Sequence, residues 1–142
     1  MDILPAAALA HFVMKVANLG VSYQFYSDLG LRPIGSFPDV AIIELRGGTH
    51  ILLFPENDET PVPLASSCLG QRTAFFKEHL DLLINGKTRG DLEAYRAILL
   101  KNGIAAGEIA QESFFGHNYF QLTDPDGHGI TVYTSHVGEL PV

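Results

Sequence analysis

Residues 9–16 alternate in polarity. Phe12, Met14 and Val16 fall on one side of an extended chain and His11, Val13 and Lys15 on the other, the period of two that marks a strand with one buried face. Asn18 offers an N-cap side chain, Val21, Phe25 and Leu29 recur at four-residue spacing, and Gly30 stands where a helix end favours a left-handed residue. A helix is predicted over 19–29. Three short apolar stretches follow, at 31–35, 40–45 and 49–54, separated by the turn-forming runs Phe37-Pro38-Asp39 and Gly47-Gly48. Residues 8–55 therefore read as strand, helix, strand, strand, strand.

The next stretch, 56–74, begins beside Pro55 and carries Pro61, Pro63, Glu56, Asp58 and Glu59 among small polar residues; it cannot continue a sheet and reads as a connecting linker. The same order then returns over 75–136. Leu80, Leu82 and Ile84 share one face of a strand at 76–84, and His79, Asp81 and Leu83 share the other. Thr88 and Asp91 stand in a capping-box relation, Leu92, Tyr95, Ile98 and Leu99 form an apolar stripe, and Lys101 and Gly103 close a helix over 89–102. Strands are predicted at 105–109, 118–122 and 130–134, the last two joined by Asp124-Pro125-Asp126-Gly127. A βαβββ unit leaves one sheet face bare of its own helix. Two such units in one domain of residues 1–142 predict an α+β fold, a cupped and partly open mixed sheet with helices outside and function on the concave side.

Composition narrows the function classes. The chain has 142 residues and a formal net charge of −7 with only nine Lys and Arg, which argues against a nucleic-acid partner, since phosphate backbones are met by concentrated basic side chains. No apolar run approaches the roughly 20 residues that span a bilayer, so no membrane partner is expected. The opening MDILPAAALAHFV lacks a basic leader region and runs into a strand pattern, so it reads as mature sequence. The lone Cys68 has no internal disulfide partner and no cationic neighbour to activate it. A cytoplasmic location fits best.

The run His11-Phe12-Val13-Met14-Lys15-Val16-Ala17-Asn18-Leu19 with Phe25-Tyr26-Ser27-Asp28-Leu29-Gly30-Leu31 resembles the opening module of the vicinal oxygen chelate superfamily: glyoxalases, bleomycin-resistance proteins and extradiol dioxygenases. Asp124-Pro125-Asp126-Gly127-His128-Gly129-Ile130-Thr131-Val132 resembles the closing strand of its second module. The resemblance implies one divalent ion held from the first and fourth strands of each module, at positions that here read His11, His50, His79 and Thr131. The family's glutamate is replaced by Thr131, whose hydroxyl cannot serve unaided as a base near neutrality.

The residues themselves support part of that set. His11 and His79 both lie on the non-apolar face of the first strand of their module. For His50, alternation does not decide the face, because residues 51–54 are all apolar. Three imidazoles suit zinc, iron or nickel better than the oxygen-seeking magnesium or calcium. Asp81 and Glu44 are the candidate substitute carboxylates, and Tyr133 shares a face with Thr131 as a further pocket residue. His117 and His128 sit in turn-rich stretches where exposure is the default, His136 lies near the C-terminus, and Phe114 and Phe115 fall in a loop beside the expected pocket. Two function classes follow: a metal-dependent lyase, isomerase or dioxygenase acting on an oxygen-bearing small molecule, and a metal-free protein that binds a drug or metabolite. Relatives often pair, so a homodimer is compatible with either.

Overall fold

The first strand, β1 (His11–Val16), buries Met14 and Val16 and leaves His11 exposed, as the alternation requires. Asn18 caps the helix α1 (Leu19–Asp28), its side chain accepting from the Val21 N–H at 3.0 Å. Gly30 follows at φ 99°, the left-handed conformation that ends a helix at little cost only for glycine. The chain returns as β2 (Arg32–Ser36), β3 (Ala41–Glu44) and β4 (His50–Pro55). These strands lie in the order β1-β4-β3-β2, with β1 parallel to β4 and the other pairs antiparallel. β2 is an edge strand and carries both Pro33 and a register shift between Pro33 and Gly35, which an edge tolerates because Pro withholds its donor from no further neighbour.

The computed structural model describes residues 4, 7, 9–56, 77–86, 88–113 and 116–134. Most of the expected linker, Cys68, Phe114, Phe115 and His136 lie outside those residues. The chain divides into two compact units, Met1–Phe76 and Lys77–Val142.

The second unit repeats the first: β5 (His79–Leu83), α2 (Arg89–Lys101), β6 (Ala110–Gln111), β7 (Asn118–Thr123) and β8 (Gly129–Tyr133), in the order β5-β8-β7-β6 with β5 parallel to β8. The α+β class and the duplicated βαβββ pattern are thus both present. The Thr88–Asp91 capping box forms as predicted. Among the described residues no helix is long and apolar enough to cross a membrane.

In each unit the helix covers one face of its sheet. Ser22 and Tyr26 of α1 and Leu29 at its C-cap are buried with Met14, Val16, Ala41, Ile43, Ile51 and Leu53. Leu29 is buried as predicted, but Ser22 and Tyr26 take the places expected of Val21 and Phe25, and Val21 is 52% exposed. The small Ser22 permits close approach, and the Tyr26 hydroxyl reaches Met14 Sδ at 3.6 Å. In the second unit Leu92 and Leu99 pack over a core that holds Leu80, Leu82, Phe120, Leu122, Ile130 and Val132, while Ile98, predicted in the stripe, is 59% exposed. Each fully buried apolar side chain contributes about 1.5–3 kcal/mol.

The strand predicted at 105–109 does not form there; β6 is Ala110–Gln111. Arg96 of α2 explains the change. Its guanidinium donates to the carbonyls of Gly107 at 2.6 Å and Ala106 at 3.2 Å. Those acceptors are then occupied by a side chain instead of a ladder, and only the Gly107 N–H bonds across, to the Gln121 carbonyl at 2.8 Å.

Candidate functional site

Strand register places chemistry-bearing side chains in rows on the sheet faces turned away from the helices. In the first unit, His11 pairs with His50 across β1 and β4, His50 with Glu44 across β4 and β3, and Glu44 with Arg32 across β3 and β2. One row therefore crosses all four strands. Burial of Ile51 and Leu53 settles the face of β4 that alternation could not: His50 projects opposite the core, beside His11.

The row is also bonded. The His11 and His50 ring centres are 6.0 Å apart. His50 Nε2 lies 3.1 Å from Glu44 Oε2, and Arg32 donates to Glu44 Oε1 at 3.0 Å. A carboxylate only accepts, so the proton of a neutral His50 sits on Nε2 and the lone pair on Nδ1. Such a carboxylate–histidine contact is what orients an imidazole for a metal. A ring centre sits about 3.2 Å from an ion bound by its nitrogen at about 2.1 Å, so two rings on one tetrahedral ion stand about 5.2 Å apart. The 6.0 Å spacing is wider than that by under about 1 Å, so a small ring movement would let these two nitrogen donors share a divalent ion of the nitrogen-preferring kind.

In the second unit His79 is paired with Gly129, Asp81 with Thr131, and Thr131 with Gln121. His79 Nε2 lies 2.9 Å from both Asp81 Oδ1 and Thr131 Oγ1, and Gln121 donates to Thr131 Oγ1 at 3.4 Å. Thr131 itself is 1% exposed, so its hydroxyl serves this network. The ring passes close above Gly129, where an added Cβ would come within 2.7 Å of His79 Nδ1. The two expected substitute carboxylates thus do the same thing in each half: Glu44 and Asp81 each accept from the Nε2 of a histidine.

One cluster went unread in the sequence. Asp124, Asp126 and His128 place ligand atoms within 4.8 Å of one another, a spacing at which they could hold an ion. Their hydrogen bonds describe a built turn. Asp124 Oδ1 accepts from the backbone N–H of Asp126 and of His128, both at 2.9 Å. His128, expected to be exposed, is 1% exposed, and its Nδ1 accepts from the Glu78 N–H at 2.9 Å. The lone pair of that imidazole is spent on backbone, which leaves its other nitrogen protonated and unable to ligate. The residue type of the turn gave no sign of this, since Asp-Pro-Asp-Gly normally marks a solvated bend.

Beyond Thr131 on the same face, Tyr133 pairs with Tyr119 across β8 and β7. Their ring centres are 5.7 Å apart, and His117 stands edge-on to Tyr133 at 5.9 Å. His117 Nδ1 donates to the Thr134 carbonyl at 2.9 Å.

The sequence profile of the Glyoxalase/Bleomycin resistance protein/Dioxygenase superfamily matches residues 8–132. No curated protein matches the chain. Among solved structures, a lactoylglutathione lyase from Agrobacterium tumefaciens is similar with a TM-score of 0.72 at 16% identity, covering 93% of this chain and 96% of that one. A virulence protein from Salmonella typhimurium gives 0.70 at 18%, covering 92% and 98%, and the oxidase ChaP-H2 gives 0.67 at 16%, covering 95% and 98%. At these identities the likeness is one of fold.

Proposed function

Because the chain belongs to the Glyoxalase/Bleomycin resistance protein/Dioxygenase superfamily, we propose that it is a metal-dependent enzyme acting on a small oxygen-bearing molecule. The observation that carries this reading is the bonded row of the first unit, in which His11 and His50 share a face and Glu44 holds the far nitrogen of His50. In the second unit His79, whose Nε2 is likewise held by a carboxylate, is the corresponding candidate ligand on the strength of the duplicated pattern. When bound, zinc, iron or nickel would supply Lewis acidity toward a chelated carbonyl or hydroxyl oxygen.

The residues of the chain define the rest. Glu44 fixes which nitrogen of His50 is offered, and Arg32 fixes Glu44. Thr131 stands where the family uses a glutamate and is engaged with His79 and Gln121; a hydroxyl there cannot take up a substrate proton at neutral pH. The reading therefore favours chemistry that needs no carboxylate at that position. One fold relative is by name a lyase and another an oxidase, which is compatible with either class.

Thr131 also supports a second reading, a metal-free protein that binds a small molecule on the same faces. Elemental analysis separates the two. Stoichiometric metal in the purified protein, lost in His50→Ala, supports the enzyme; no uptake after incubation with zinc, iron and nickel leaves the binder.

A further inference from the structure

The sheet of the second unit ends on β6, in the order β5-β8-β7-β6. An end strand offers carbonyls and N–H groups to any further strand, and such ends are ordinarily blunted by proline, lysine or a bulge. The β2 end of the first unit follows that rule, since it carries Pro33 and a register shift. Residues 104–111, Ile-Ala-Ala-Gly-Glu-Ile-Ala-Gln, contain no proline and no lysine, and Glu108 is their only charge. Gly107, Glu108, Ala110 and Gln111 are exposed.

Arg96 of α2 stands at this edge. Its Nε donates to the Gly107 carbonyl at 2.6 Å, and its Nη2 donates to the Ala106 carbonyl at 3.2 Å and to Glu108 Oε1 at 3.0 Å. One guanidinium therefore fills two successive backbone acceptors. The ion pair with Glu108, whose side chain is 93% exposed, adds little by itself, so the carbonyl bonds carry the contact. The other side of the segment is met by β7. Gly107 donates to the Gln121 carbonyl and Glu112 to that of His117, while Ala110 lies opposite Tyr119. Between the Ala110–Tyr119 pair and the Gly107–Gln121 bond the edge holds one residue more than β7, which makes a bulge. The backbones approach closely there: a Cβ added to Gly107 would stand 3.0 Å from the Gln121 oxygen.

We infer that Arg96 is an edge guard, which by occupying the carbonyls of residues 106 and 107 keeps β6 from pairing with the β6 of a second copy of this chain. A second copy is the partner because antiparallel pairing of one strand with itself about a two-fold axis closes and extends both sheets. The planar fork meets two acceptors at once, which the point charge of a lysine does not. An arginine that only anchored a loop would, when removed, lower stability without opening an interface, so the two roles part on association.

Sedimentation of the full chain compares the wild type with Arg96→Met, which keeps the stem and the helix propensity and removes the donors. As concentration rises through the micromolar to millimolar range, the variant should form a species of about twice the wild-type mass, with amide exchange slowed at residues 106–111. Adding Gln111→Lys, a charge on the same edge, should restore the wild-type mass. Arg96→Gln, able to donate to one carbonyl but not to both, should associate too, and it decides the question if the methionine variant does not fold. A folded variant that keeps the wild-type mass across that range overturns the inference. So does association that survives Gln111→Lys or leaves exchange at 106–111 unchanged.

Discussion

Glu44 holds the Nε2 of His50 at 3.1 Å, and that contact decides which nitrogen of the imidazole is left to bind. Removing the charge while keeping the shape separates orientation from packing. Glu44→Gln is expected to weaken zinc binding about 10- to 100-fold, the usual cost of losing a carboxylate behind a metal-bound histidine, with the melting temperature little changed because the Arg32 side chain it pairs with is 75% exposed. Competition against a chelator of known affinity measures it.

His79 lies over the bare backbone of Gly129. Gly129→Ala places a methyl group 2.7 Å from Nδ1 in the present ring position, so the ring must swing away from Thr131. The atom displaced belongs to a half-exposed side chain and not to a packed core, so the stability cost should stay under about 1 kcal/mol. The NMR signals of His79 and Thr131 should shift while denaturant midpoints move little.

His128 is expected to be structural. His128→Ala removes the acceptor for the Glu78 N–H and empties a buried site, at a cost of roughly 2–4 kcal/mol. Chemical denaturation should show that loss, and the metal content of the folded fraction should stay as in the wild type.

Tyr95 packs toward Phe120, with ring centres 6.3 Å apart, and burial raises its phenol from 10.0 to about 12. The folded state then holds a proton that the unfolded state has lost. This contribution is complete below pH 10 and disappears as pH rises toward 12, with a slope of at most about 1.4 kcal/mol per pH unit. Tyr95→Phe should flatten the alkaline fall in stability between those values, measured by denaturation at successive pH.

The elements were legible wherever local rules acted alone: the alternation of β1 and β5, the Asn18 cap, the Thr88–Asp91 box and the glycine after α1 all appear where the pattern put them. What escaped was set by partners distant in sequence. Arg96 takes the carbonyls of residues 106 and 107 and moves β6. The face of α1 turns by one residue because Tyr26, not Phe25, meets Met14. In the candidate site, the sequence supplied His11, His50, His79, Glu44 and Asp81 as types, but their pairing depends on register, which fixes His50 opposite Glu44 and brings Tyr119 beside Tyr133. His128 was hidden by a turn whose composition says solvent.

Long-range nitrogen NMR of the histidine rings during zinc addition tests the central claim most directly, because it distinguishes Nδ1 from Nε2. One equivalent of zinc should move the Nδ1 of His50 to a metal-bound shift, leave its Nε2 protonated against Glu44, and perturb His11 at the same stoichiometry. Unchanged His11 and His50 rings through several equivalents, or zinc seated on the Nε2 of His50, would contradict it.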